Sequence, residues 1–166
     1  MGLLEACGKI DIQRVKFLLE SEAADIESKD NNGWTPLMIS SKNGQLDLTK
    51  ILLENGADIK ARANDGWTSL MISSWYGHFE VTKLLLENGA YVEAKSNNGR
   101  TPLMHSSRNG HLEITKLLLK NGADIEAKNN NGYTFIHYLG EDKKKEIEEF
   151  IQDIQNRRGM VKPHRR

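Results

Sequence analysis

The chain has 166 residues, 38% of them hydrophobic and 28% charged, which suffices for one domain with a thin core. Lys plus Arg and Asp plus Glu stand at 23 each, so no global field draws the chain onto nucleic acid or an anionic membrane. Cys7 is the sole cysteine, which excludes a disulfide framework or a cysteine-rich zinc site within one chain.

The start, "MGLLEACGK", has neither the basic opening nor the apolar length of a secretion signal, and Ala6 stands where a myristoylation signal wants Ser or Thr. No apolar run reaches the ~18 residues of a membrane-spanning helix. The expectation is a soluble protein of a reducing compartment, the cytoplasm, with the nucleus as the alternative.

Gly33, Gly66, Gly99 and Gly132 are spaced by 33 residues, and each is followed by one variable residue and then "TPLM", "TSLM", "TPLM" or "TFIH". Such self-similarity predicts a stacked solenoid in which each unit buries its apolar face against its neighbours. Five units follow: residues 1–32 and 132–155 as terminal caps, and 33–65, 66–98 and 99–131 as full repeats. In the first cap Ile10 falls where later units have glycine, and "LLESEAADI" is one residue longer than "LLENGADI", with no glycine to end its helix. That end is expected to be less regular and easier to unfold.

Each full unit reads as helix, turn, helix and loop. Threonine is a good N-cap, and Pro36 and Pro102 suit the first helical position. Gly44, Gly77 and Gly110 cut this helix after about two turns. A second helix, such as "HLEITKLLLKNG", carries a broad apolar stripe and ends in an Asn-Gly left-handed cap. The segment "ADIKARANDG" and its copies predict an extended, hairpin-like loop. After Gln155, residues 156–166 form a tail with five basic residues and no acid, expected to lack structure of its own. Removing those five cations from 23 leaves residues 1–155 at net −5.

From about Leu3 to Gln155 the chain resembles ankyrin-repeat proteins, on "GWTPLM", the glycine turns and "LLENGADI". The resemblance implies an all-α solenoid of antiparallel helix pairs with projecting loops, and a concave face that binds other proteins. Met38, Met71 and Met104 replace the histidine that this family carries after "TPL", which only His137 keeps; the three form either a stack across repeats or simple filler. Paired serines (Ser40 and Ser41, Ser73 and Ser74, Ser106 and Ser107) replace alanines at tight helix contacts, where their hydroxyls can bond the preceding turn's carbonyls.

Nothing in the chain assembles a catalytic constellation or a phosphate loop, so no enzyme activity, cofactor or metal is expected. His78 and His111 hold the same turn position one period apart and read as structural, while His105 is expected on a helix surface. Asparagine hydroxylation, known in the family, is not expected, because Lys60, Glu93 and Glu126 stand at its target position.

Letters that vary between units are where a partner could be read. One column follows the loop glycine: Trp34, Trp67, Arg100 and Tyr133. A second ends the first helix: Lys42, then Trp75 with Tyr76, then Arg108. A third precedes the loop glycine: Lys29 and Asn31, Arg62 and Asn64, Lys95 and Asn97, Lys128 and Asn130. In the ankyrin architecture these line the concave face and loop tips. Trp75 and Tyr76 stand where other units have Lys-Asn and Arg-Asn, so the scaffold needs no aromatic there and the pair is expected to be exposed. The candidate binding set is Trp34, Lys42, Arg62, Trp67, Trp75, Tyr76, Arg100, Arg108 and Tyr133, suited to a protein or peptide that is acidic and partly apolar. The chain is expected to be a monomer that binds neither membrane nor nucleic acid. The alternatives are an engineered or structural scaffold without a natural ligand, or an adaptor fragment of a larger protein.

Overall fold

A computed structural model describes residues 1–21 and 24–160 of the chain. Its helices are α1 (Leu3–Gly8), α2 (Ile12–Glu20), α3 (Pro36–Lys42), α4 (Leu46–Glu54), α5 (Ser69–Tyr76), α6 (Phe79–Glu87), α7 (Pro102–Arg108), α8 (Leu112–Lys120) and α9 (Glu141–Met160), with one 3-10 turn at Phe135–Tyr138. The described residues contain no strand, and the architecture is the all-α repeat solenoid that the spacing predicts.

The first helices of successive units, α1, α3, α5 and α7, pack each on the next and end on the 3-10 turn; α4, α6, α8 and α9 make a second layer. Local chemistry sets the boundaries. The Thr35, Thr68 and Thr101 hydroxyls accept from the Met38, Met71 and Met104 amides, each at 3.4 Å, and cap α3, α5 and α7. Gly77, at φ 82°, closes α5 in the left-handed region.

The paired serines explain how the two layers approach. Thr49, Thr82 and Thr115 of the second helices bond Ser40, Ser73 and Ser106 of the first at 2.9–3.0 Å, in fully buried pairs. Ser40, Ser41, Ser73, Ser106 and Ser107 also donate to carbonyls one turn back, as the sequence implies; Ser74 does not, and its Oγ is buried without a partner among the described residues. Around these pairs a continuous apolar core runs from Leu3 to Ile147, through Leu37, Leu70, Leu103 and Leu118. Met38 belongs to a second, smaller cluster with Ala63 and Ile72, whereas Met104 joins the main core, so the methionines do not line one cluster.

Loops are held by turns and by one another. Within a loop the Ala63 amide donates to Trp67 O at 2.9 Å; between loops the Asn64, Asn97 and Asn130 amides donate to the carbonyls of Asn32, Asp65 and Asn98 at 2.9–3.1 Å. The third variable column therefore belongs to the scaffold. The Asn64, Asn97 and Asn130 side chains donate to the carbonyls of Asn31, Asn64 and Asn97, and the Lys29, Arg62 and Lys95 side chains to those of Arg62, Lys95 and Lys128. The column recurs because the bonds recur.

A further correction concerns the C-terminal end. Helix α9 continues to Met160, so residues 156–160 extend the capping helix instead of forming a tail without structure; residues 161–166 of that expected tail lie outside the described residues. The first helix of the last unit shrinks to the 3-10 turn, where His137 Nδ1 accepts from the Thr134 amide at 3.2 Å.

Candidate functional site

Packing of α3, α5 and α7 against the loops brings the first two variable columns onto one face. The Lys42 ammonium stands 5.4 Å from the Trp34 ring centroid and 6.0 Å from that of Tyr76, a cation between two aromatics of adjacent units. Tyr76 is 44% exposed and stacks beside His78 at 6.3 Å. Trp67 and Trp75 meet edge to face at 5.6 Å, and the Arg108 guanidinium lies 5.8 Å from the Trp75 ring. Trp34, Trp67 and Trp75 are half-buried, so Trp75 offers part of its indole and spends the rest on its neighbours.

What it spends it on is His105, the residue that sequence reasoning placed on a helix surface. His105 is fully buried, 4.2 Å from Trp67 and 5.6 Å from Trp75 between ring centroids. Among the described residues neither ring nitrogen finds a hydrogen-bond partner. Burial, with Arg100 and Arg108 adding repulsion, lowers its pKa to about 3, so it is a neutral imidazole. The signal was available: His105 stands in one column with Ile39 and Ile72, and an apolar column marks a core position.

The remaining candidates lie apart from this group. The Arg62 guanidinium is engaged by the Lys95 carbonyl. Arg100 lies 5.8 Å from the Tyr138 ring, with its Nε buried and without a partner among the described residues, which makes it a packing residue of the last seam. Tyr133 is 48% exposed and stacks on His137 at 5.2 Å, on the final loop. The face thus carries two groups that meet at the adjacent residues Tyr76 and Trp75: Trp34, Lys42 and Tyr76, and Trp67, Trp75 and Arg108, with His105 beneath the two indoles of the second.

His78 and His111 prove to be ties between units. Their Nε2 atoms lie 2.8 and 2.9 Å from the carbonyls of Lys42 and Trp75, at the end of the preceding unit's first helix. Lys143 reaches the Gly110 carbonyl at 3.4 Å in the corresponding place at the last seam. Among the described residues no group of three or more His, Cys, Asp or Glu is placed to hold a metal ion, and no helix is long and apolar enough to cross a membrane.

Comparison with known proteins agrees with this architecture. The description "Ankyrin repeats (3 copies)" matches residues 3–96, and "Ankyrin repeat" matches residues 98–130. A 42-residue stretch, 25% of this chain, is 45% identical to Delta-latroinsectotoxin-Lt1a of Latrodectus tredecimguttatus and spans only 4% of that protein. Two family matches that together run through nearly all of residues 3–130 leave one conclusion: the chain belongs to the ankyrin-repeat family, whose repeats serve in general as non-catalytic protein–protein interaction modules.

Proposed function

We propose that this chain is a non-catalytic interaction module that captures an acidic, partly apolar protein segment on the face built from α3, α5, α7 and their loops. Trp67, Trp75 and Tyr76 supply the apolar contact, and Lys42 and Arg108 the charge. The observation that carries the reading is Lys42 between Trp34 and Tyr76: among the described residues no carboxylate pairs with it or with Arg108, so two cations face outward beside exposed aromatic surface. Aromatic and arginine anchors of this kind are worth about 2 kcal/mol or more each once desolvated. A reducing compartment, cytoplasm or nucleus, suits the single buried thiol of Cys7.

The half-burial of Trp75 makes its removal a poor probe, because it would also uncover His105. The clean pair is Lys42→Glu with Tyr76→Ala, both exposed, and the Lys42 carbonyl that His78 uses is untouched. Cross-linked capture from lysate should return a specific partner with the native chain and lose it with this variant, while the thermal midpoint stays within about 2 °C, as expected for surface changes of ~0.5 kcal/mol. Equal capture by both proteins, or no specific capture by either, would reject the reading; the second outcome favours a scaffold without a natural ligand.

A further inference from the structure

We infer that the cleft between residues 59–62 and 89–94 is a second binding site, which takes a carboxylate and an adjacent apolar side chain from an acidic peptide segment of a partner protein. This goes beyond the aromatic face. The cleft lies by Thr68, which caps the start of α5, whereas Trp75 and Tyr76 end that helix, about 12 Å along its axis.

The case begins with a device present at the seams on either side of one seam and missing at that one. Glu27 Oε1 accepts from the Asp58 amide, and Glu93 Oε1 from the Asp124 amide, each at 2.8 Å and each 31 residues apart. Each carboxylate ties its loop to the next. At the seam between them both letters change: Lys60 stands at the glutamate position and Tyr91 at the aspartate position. Lysine cannot accept from an amide. Among the described residues no side chain takes the glutamate's place behind the Tyr91 amide.

A cleft of about 570 Å³ opens at that seam, within the size range of ligand sites. Ile59, Ala90, Val92 and Ala94 line it with apolar surface, and Lys60 and Arg62 bring two cations. Tyr91 stands at its edge, 65% exposed. Nearby acids are committed elsewhere: Glu93 to Asp124, and Asp58 to the amide of Lys60, whose ammonium has no ion-pair partner among the described residues. The corresponding cleft at the last seam, lined by Ile125, Glu126, Thr134 and Glu148, has the opposite charge. The exchange of Lys60 and Tyr91 therefore turns a structural seam into a cationic, apolar-walled slot, complementary to a carboxylate beside an aliphatic side chain.

The test uses the whole chain and a fluorescein-labelled hexapeptide, Gly-Leu-Glu-Glu-Leu-Gly, read by polarisation. Saturable binding is expected, weakened about tenfold or more when glutamine replaces both glutamates, and equally by Lys60→Gln. Lys60→Glu with Tyr91→Asp supplies the pairing that the two neighbouring seams carry, so that variant should fold at least as stably and bind no peptide. Each measurement is repeated on a Lys42→Glu, Tyr76→Ala background, which disables the aromatic face, so that the binding left there reports on this cleft alone. On that background no saturable binding, indifference to charge, or retained binding after Lys60→Glu with Tyr91→Asp would each overturn the proposal. Competition by hexanoate as strong as by unlabelled peptide would overturn it too, in favour of a small carboxylate ligand.

Discussion

The imidazole of His105 lies against the indole of Trp67 with ring centroids 4.2 Å apart, inside a repeat position that two other units fill with isoleucine. Its two nitrogens are buried without partners, at a cost of about 1–3 kcal/mol for an unsatisfied group, offset in part by stacking worth about 0.5–1.5 kcal/mol. His105→Ile should therefore raise stability at pH 7 by about 1 kcal/mol. The gap should widen in acid. The folded imidazole keeps a pKa of about 3 while the unfolded chain titrates near 6.5, so the unfolded state takes up the proton first and stability falls as pH drops from 6.5 towards 3. At pH 5 that linkage alone costs about 2 kcal/mol, and the variant escapes it. Urea midpoints of both proteins at pH 7 and pH 5 check this; parallel pH profiles would refute it.

Ile10 occupies φ 59°, the one left-handed non-glycine position among the described residues, at the site where later units have Gly44, Gly77 and Gly110. A β-branched residue pays about 1–2 kcal/mol there, and its side chain is 40% exposed, so little burial would be lost on its removal. Ile10→Gly should stabilise the chain by about 1 kcal/mol. Cys7 reports on the same end: it is fully buried, and burial pushes its thiol up to about 12, so it should resist thiol reagents at pH 8 until the first unit opens. Slower labelling of Cys7 in the Ile10→Gly protein is the expected result, and an unchanged rate would count against strain at this turn.

Gly77 joins two requirements in one residue. At φ 82° it holds the turn after α5, and a Cβ placed on it would lie 2.5 Å from Cε1 of His111, whose Nε2 caps the Trp75 carbonyl. Gly77→Ala should cost about 2 kcal/mol or more, the left-handed penalty plus the displaced imidazole. His111→Ala should cost less on the Gly77→Ala background than on the native one, a coupling that a double-mutant cycle measures.

The repeat period, the threonine caps and the glycine turns were legible because each follows from a local rule that the sequence repeats three or four times. Trp34, Lys42, Trp75 and Tyr76 could be assigned to a common face because they vary while their surroundings do not. Two kinds of residue escaped that logic. His105 was misplaced because its polarity outweighed its column, although the column had already recorded the burial. Arg62 and Asn64 looked like variable loop tips, yet their bonds to the neighbouring loop's carbonyls exist only across seams, which a pattern within one unit cannot display. The exchange at Lys60 and Tyr91 was visible as letters, but its meaning depended on knowing that Glu27 reaches Asp58.

The seam bonds described above join residues 31, 32, 33 or 36 positions apart, so each reaches the adjoining unit and stops there. A gene that carried residues 66–98 twice in tandem would present every donor with its acceptor again one step further on. Chain length is therefore a quantity that unequal recombination could alter at little structural expense.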